Sequence, residues 1–321
     1  MKITFLGTSS GAPTRYRNVS ATAVQPEHGK PWVLVDCGEA TQHQLLRTPL
    51  SPLKLEAILI THIHGDHCYG LPGLLASCQL NGRTAPLTLV GPVAVWEYLQ
   101  AVMQFTEMQI DYPLQFLAVD ERLDITAGGF QISAAALSHR TECWAYRLRE
   151  SQIPLQLDVQ RLRAEGISPG PEYAHLQRGE DLQLADGRWL SSTDFTRLSR
   201  KPRVAVIAGD NDRPELLAGL CQGADLLVHE ATYTADILQQ VGPEPQHSSA
   251  ERVARFAEQQ RIPNLILTHF SPRYLSKPRR SNDRLICEIR TEARQYFNGQ
   301  LQLAEDLASW LISRDGMLLR L

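Results

Sequence analysis

The stretch Thr61-His62-Ile63-His64-Gly65-Asp66-His67 sets three imidazoles and one carboxylate in six consecutive positions. Imidazole nitrogen and carboxylate oxygen are the ligands zinc accepts in hydrolytic sites, which keep one position open for water. Burying such groups without partners is costly, so core packing is a poor explanation for finding four together. The preceding run Ala57-Ile58-Leu59-Ile60 has the composition of a buried strand, which places the motif at a strand end, on a rigid support. In an extended segment residues two apart share a face, so His62 and His64 are expected to address one ion. Gly65 permits a sharp turn after them, and Asp66 and His67 are expected to face a neighbouring site.

Two ions need more ligands than this run supplies. Working outward, three further metal-capable residues each follow a predicted strand: His139 after Phe130–Leu137, Asp210 after Val204–Ala208, and His269 after Leu265–Thr268. A carboxylate such as Asp210 can bridge two cations, and a water held between them ionises near neutral pH. Further short apolar, β-branched runs (Ile3–Leu6, Trp32–Val35, Leu87–Val90, Leu226–Val228) alternate with amphipathic stretches, so the chain reads as α/β with strands buried between layers. Ser248-Ser249-Ala250-Glu251 has the Ser-x-x-Glu spacing of a capping box and predicts a helix starting just after His247. A second helix is predicted over Asp283–Phe297. From Ser151 to Trp189 the apolar periodicity weakens and Pro, Gly, Gln and charge accumulate. Leu155, Leu157, Val159, Leu162 and Ile167 make this an inserted, structured arm in preference to a disordered linker.

Composition bounds the rest. With 43% hydrophobic and 21% charged residues over 321 positions, the chain has the balance of a globular protein with a substantial core. No apolar stretch approaches the length of a membrane span, and the N-terminus lacks the features of a signal peptide. The six cysteines are scattered without a Cys-x-x-Cys pair, as expected for reduced thiols, and the reading is a cytoplasmic protein with no membrane partner. A net charge of −3 does not announce a nucleic-acid binder. Basic residues do cluster locally, at Arg273, Lys277, Arg279, Arg280 and Arg284, and at Arg197, Arg200, Lys201 and Arg203. Such clusters are ordinarily solvated loops unless they border the chemistry.

His-x-His-x-Asp-His followed by later His, Asp and His resembles the metallo-β-lactamase superfamily. A longer ordered set of motifs narrows the match: Phe5-Leu6-Gly7-Thr8-Ser9, Pro13-Thr14-Arg15-Tyr16-Arg17-Asn18, Asp36-Cys37-Gly38-Glu39-Ala40-Thr41-Gln42, Gly70-Leu71-Pro72-Gly73-Leu74, His229-Glu230-Ala231-Thr232, His247-Ser248-Ser249 and Thr268-His269-Phe270-Ser271-Pro272-Arg273-Tyr274. From Met1 to about Tyr274 these resemble bacterial short-form ribonuclease Z, also called ribonuclease BN, the tRNA 3′-processing endoribonucleases. In the insertion, Gly170-Pro171-Glu172-Tyr173 and Gly179-Glu180 are similar to that family's protruding tRNA-binding exosite.

The resemblance implies an αβ/βα sandwich of two sheets flanked by helices, one metallo-β-lactamase domain over residues 1–321 with an exosite arm inserted at 151–189, and a homodimer. It implies two Zn2+ per subunit, one on His62, His64 and His139, the other on Asp66, His67 and His269, with Asp210 shared. Asp66 also becomes proton acceptor, and His247, held by Glu230, general acid. From the residues alone Glu230 reads as a strand-end acid and His247 as a cap neighbour whose imidazolium the helix dipole disfavours; a carboxylate beside it would offset that. Arg273 and Arg17 are expected at substrate phosphate, and Gly170 and Pro171 at precursor tRNA. Departures from the family pattern are Asn211 in place of Thr after Asp210, Arg140 after His139, and His175 and Gln177 where arm lysines are common. The activity implied is removal of the 3′ trailer from precursor tRNA, possible exoribonuclease trimming included. Two alternatives are a small-molecule phosphodiesterase or arylsulfatase of the same fold, and a catalytically silent zinc-containing RNA-binding protein.

Overall fold

A computed structural model describes residues 1–321. The chain divides into two compact units, Met1–Arg149 with Arg203–Leu321, and Glu150–Pro202. In the first unit the strands are β1 (Lys2–Gly7), β2 (Ala21–Gln25), β3 (Trp32–Val35), β4 (Leu55–Leu59), β5 (Leu87–Gly91), β6 (Leu114–Ala118), β7 (Ile125–Ala127), β8 (Phe130–Leu137), β9 (Cys143–Glu150), β10 (Val204–Ala208), β11 (Leu226–Glu230), β12 (Asn264–Thr268), β13 (Gln300–Leu303), β14 (Ser309–Ile312) and β15 (Leu318–Arg320). One eight-stranded sheet runs β15-β14-β1-β2-β3-β4-β5-β6, and a seven-stranded sheet runs β13-β12-β11-β10-β9-β8-β7.

Side-chain alternation dictates how these sheets pack. On β10, Ala205 and Ile207 enter one core with Phe5, Val35, Leu59, Tyr146, Val228 and Ile266, residues drawn from both sheets. Val204 and Val206, one step out of phase, enter a second core with Val253, Phe256 and Ile289 of the helices Ala250–Gln259 and Ile286–Arg294. On the far side, Leu34, Ile58 and Leu89 pack under Leu71, Leu75 and Leu99 of the helices Leu71–Leu80 and Val93–Phe105. The result is helix, sheet, sheet, helix. Strands buried on both faces read as continuous apolar runs, which is why β4, β10 and β12 were visible in sequence. Each large aliphatic side chain fully buried here is worth about 1.5–3 kcal/mol relative to exposure.

Both predicted helices start elsewhere than the sequence suggests. The helix after His247 is capped by Ser249, whose side chain accepts from Arg252 N at 3.2 Å. Ser248 Oγ instead donates to Asn211 O at 2.6 Å, so the Ser248–Glu251 capping box does not form. The helix expected over Asp283–Phe297 spans Ile286–Arg294. Asp283 is used earlier, accepting the backbone N–H groups of Arg279 and Arg280, and Leu285 is the cap residue, its N–H bonded to Glu288.

The second unit has its own small core of Leu162, Ile167, Leu176, Leu190 and Phe195. Two short antiparallel pairs, Leu155–Leu157 with Thr196–Leu198 and Leu182–Gln183 with Trp189–Leu190, frame the helices Val159–Ala164 and Pro171–Gln177. Asp158 caps the first of these, and Pro171 opens the second, where its missing N–H costs nothing.

Candidate metal centre

Strand ends build the site. β4, β8, β10, β11 and β12 all deliver their C-terminal ends to one edge of the sandwich, where the following segments carry His62–His67, His139, Asp210 and His269, and Glu230 is the last residue of β11. After β4 the chain bends at Ile63, returns to extended backbone at His64, then makes the single helical turn Gly65–Cys68 that carries Asp66 and His67. Gly65 leaves room for the exposed Tyr69 ring, which a Cβ there would approach to 2.2 Å and displace. Gly209, before Asp210, is equally confined, because a Cβ would meet Thr61 Cβ at 2.7 Å and Cys143 Sγ at 2.8 Å.

The seven candidate ligands fall into two groups. His64 Nδ1 lies 3.1 Å from both His62 Nε2 and His139 Nε2. His269 Nε2 lies 3.2 Å from both His67 Nε2 and Asp66 Oδ2. Asp210 stands between them with one oxygen for each. Its Oδ2 is 3.7 Å from His62 Nε2 and 3.8 Å from His139 Nε2, while its Oδ1 is 3.5 Å from His67 Nε2 and 3.4 Å from His269 Nε2. Donors at about 2.0–2.1 Å from a tetrahedral zinc stand roughly 3.3–3.4 Å from one another, so both groups fit such an ion. Imidazole nitrogens at these separations cannot satisfy one another as hydrogen bonds throughout, and a cation resolves the conflict.

Behind these side chains lies a layer that orients them. His67 Nδ1 pairs with Asp36 Oδ2 at 2.7 Å, and Asp36 Oδ1 accepts the Thr61 N–H at 2.8 Å. His62 Nδ1 contacts Thr61 Oγ1 at 3.0 Å, His139 Nδ1 contacts Gln246 O at 3.0 Å, and His269 Nδ1 contacts Thr232 Oγ1 at 3.0 Å. Gly11 N donates to Asp66 Oδ2 at 2.7 Å. Such partners fix ring orientation and tautomer. Sequence reading assigned no role to Asp36, Thr232 or Gln246. Asp36 follows the apolar strand β3 and so carried the same signal as Asp210. Asp36, Gln246 and His269 also hold left-handed backbone, with φ of 59°, 52° and 58°. For residues other than glycine this costs about 1–3 kcal/mol and is characteristic of functional sites.

Electrostatics favour bound cations. Burial first, and neighbouring imidazoles after it, push the pKa of His62 well down, and burial also lowers His64 and His139, leaving them neutral as ligands must be. Burial works against charge on Asp66, yet His67 and His269 hold its carboxyl far below the usual range. His67 is ringed by three carboxylates, Asp66, Asp210 and Asp36, a local excess of negative charge that bound cations neutralise.

Glu230 and His247 meet beside this centre. Glu230 Oε2 accepts from Thr232 N at 2.9 Å and Thr232 Oγ1 at 2.6 Å, and Oε1 accepts from Ser248 N at 2.7 Å. His247 Nδ1 lies 3.3 Å from Glu230 Oε1 and 3.8 Å from Asp210 Oδ2. Burial opposes a charge on His247, but Glu230 outweighs it and raises the pKa to about 9. Burial likewise opposes the charge on Glu230, and His247 holds it down to about 2. The Tyr233 ring packs between His247, 6.0 Å away, and the Arg273 guanidinium, 5.0 Å above it. Arg273 Nε is bonded to Ser271 Oγ, which fixes the stem of an otherwise exposed cation.

Farther out, Arg17 is partly buried, bonded to Tyr274 O, and lines a cavity of about 500 Å³ with Arg15, Lys277 and Arg279. The two basic clusters are only partly free for a ligand. Arg284 pairs with Asp236 and Glu288, Arg200 with Glu150, and Arg203 is buried against Glu27 and Ile312 O. Gly170 and Pro171 belong to the second unit, where they start the helix Pro171–Gln177.

Comparison with known proteins fits this picture. A family model described as anti-Pycsar protein Apyc1 matches residues 1–159, a span that includes His62–His67 and His139 but ends before Asp210, Glu230, His247 and His269. Human tRNase Z, short form, superposes with a TM-score of 0.65 at 25% identity, covering 96% of this chain and 98% of its own. The metallo-β-lactamase fold protein YhfI of Bacillus subtilis superposes with a TM-score of 0.66 at 22% identity over 97% of this chain and 99% of its own, a likeness of fold. Ribonuclease Z of Marinobacter nauticus is 48% identical over 98% of this chain and 97% of its own length. With that identity running through nearly the whole of both sequences, the chain belongs to the ribonuclease Z family.

Proposed function

We propose that this hydrolase removes the 3′ trailer of precursor tRNA by a single phosphodiester cleavage, using two Zn2+ per subunit held by His62, His64, His139, Asp66, His67 and His269 with Asp210 shared. The observation that carries the reading is Asp210, whose two oxygens face two separate ligand groups. When bound there, the ions supply positive charge for the phosphorane oxygens and acidify the attacking water. Asp66, kept ionised by its imidazole neighbours, accepts the proton that water gives up. His247, kept protonated by Glu230, delivers a proton to the departing 3′ oxygen. Arg273, anchored through Nε and backed by Tyr233, presents its remaining N–H groups to a phosphate oxygen pair, a geometry suited to guanidinium.

The substrate is held by shape and backbone contacts, with Arg17 and its basic cavity near the centre and the unit around Gly170 and Pro171 as exosite. The protein acts as a homodimer in the cytoplasm; no helix is long and apolar enough to cross a membrane. Metal analysis of the purified protein is expected to give two zinc ions per chain, and His139→Ala is expected to lose one and keep the other. A wild-type protein that binds a single ion at saturation contradicts the dinuclear assignment.

A further inference from the structure

Asn211 and His229 are both fully buried, and no step proposed above uses either. Asn211 Oδ1 accepts two backbone N–H groups, from Ser138 at 3.3 Å and Arg213 at 3.1 Å. Two donors at that atom fix the amide orientation, so Nδ2 is the group that faces His229 Nε2 at 3.2 Å. His229 Nε2 must therefore offer its lone pair, and the ring proton sits on Nδ1, which donates to Glu230 O at 2.8 Å. Burial keeps this imidazole neutral, as the tautomer requires. The Asn211 backbone is engaged as well: its carbonyl accepts from Ser248 Oγ at 2.6 Å, and its N–H points at Glu230 Oε1 from 3.5 Å.

These bonds connect four segments that carry site residues. Ser138 precedes His139, Asn211 follows Asp210, His229 precedes Glu230, and Ser248 follows His247. We infer that Asn211 and His229 form a buried positioning pair that sets the mutual spacing of His139, Asp210, Glu230 and His247. The inference rests on the metal assignment proposed above. An aliphatic side chain of the same size at 211 removes the acceptor that Ser138 and Arg213 share and the donor that His229 receives, so His139 and Asp210 lose their common anchor.

The test is zinc affinity by chelator competition on Asn211→Leu, His229→Phe and the double variant, with circular dichroism as the check of fold. Each single variant is expected to bind the His62–His64–His139 ion about tenfold more weakly, the usual scale for partners behind a ligand. The double variant is expected to be little worse than either single one, because the same bond is lost. At saturating zinc, kcat on precursor tRNA should fall with KM unchanged. Wild-type zinc affinity in both single variants overturns the inference, as do losses that simply add in the double variant. If Asn211→Leu does not fold, His229→Phe carries the test alone, because it removes the Nε2 acceptor while leaving both bonds to Asn211 Oδ1 in place; a weakened ion supports the pair and wild-type affinity overturns it. Failure of the metal assignment itself is separable, since the wild-type protein would then bind fewer than two ions.

Discussion

His247 and Glu230 occupy a place where burial alone would discharge both, and each keeps its charge because of the other. Two outcomes follow at the scale of the residue. His247→Ala should lose about 10²–10⁴ in kcat on precursor tRNA while zinc content and tRNA binding stay at wild-type values; cleavage at the wild-type rate removes His247 from the chemistry. Glu230→Gln acts through pKa. With a pKa raised to about 9, His247 holds its proton through neutral pH and loses it only on the alkaline side. Removing the negative charge lowers that pKa, so the alkaline limb of kcat/KM should move to lower pH, and a limb that stays put contradicts the pairing. The ligand candidates were legible residue by residue because each stands where an apolar run stops at His or Asp. Thr232 and Gln246 were not, because their importance comes from contacts across the fold and, for Gln246, from left-handed backbone that no residue type announces, while Asp36 gave the same strand-end signal and only its contact with His67 shows that it stands behind a ligand. Ser248 misled for a related reason: its hydroxyl found a tertiary acceptor in Asn211 O, and the next serine took the cap.

Among elements, strands buried on both faces were the easiest to read and helix starts the hardest. The apolar runs of β3, β4, β10 and β12 needed no partner to be recognised, whereas β2, β6 and the three C-terminal strands are too short or too mixed in composition to stand out. Helix starts depend on which polar group reaches the free N–H groups. Glu292, in a different helix, accepts from Ala235 N and Glu251 N, a long-range cap invisible to local spacing. The unit Glu150–Pro202 makes a separable element because Arg149 and Val204 are paired across β9 and β10, so a short turn can replace everything between. Replacing it is expected to abolish precursor-tRNA processing while leaving hydrolysis of bis(p-nitrophenyl)phosphate near wild type. Equal survival of both activities contradicts the exosite assignment, and equal loss shows that the unit is needed for the centre itself.

Over the whole molecule, two stacked sheets bring the ends of β4, β8, β10, β11 and β12 to one edge, although the residues they carry are separated by as many as 207 positions, from His62 to His269. A rigid double-sheet core can hold several strained residues and a crowd of imidazoles in register, which loops alone cannot. On the proposed reading this edge is a zinc centre that cuts precursor tRNA once, releasing the 3′ trailer. The direct measurement is to incubate the purified protein with a precursor tRNA carrying a 3′ trailer and size the products, before and after chelation and zinc repletion. The expected result is one cut yielding a trailer-free tRNA with a 3′ hydroxyl and an intact trailer, abolished by the chelator and restored by zinc. A precursor left uncut by the zinc-loaded protein, or a cut that survives removal of the metal, contradicts the claim.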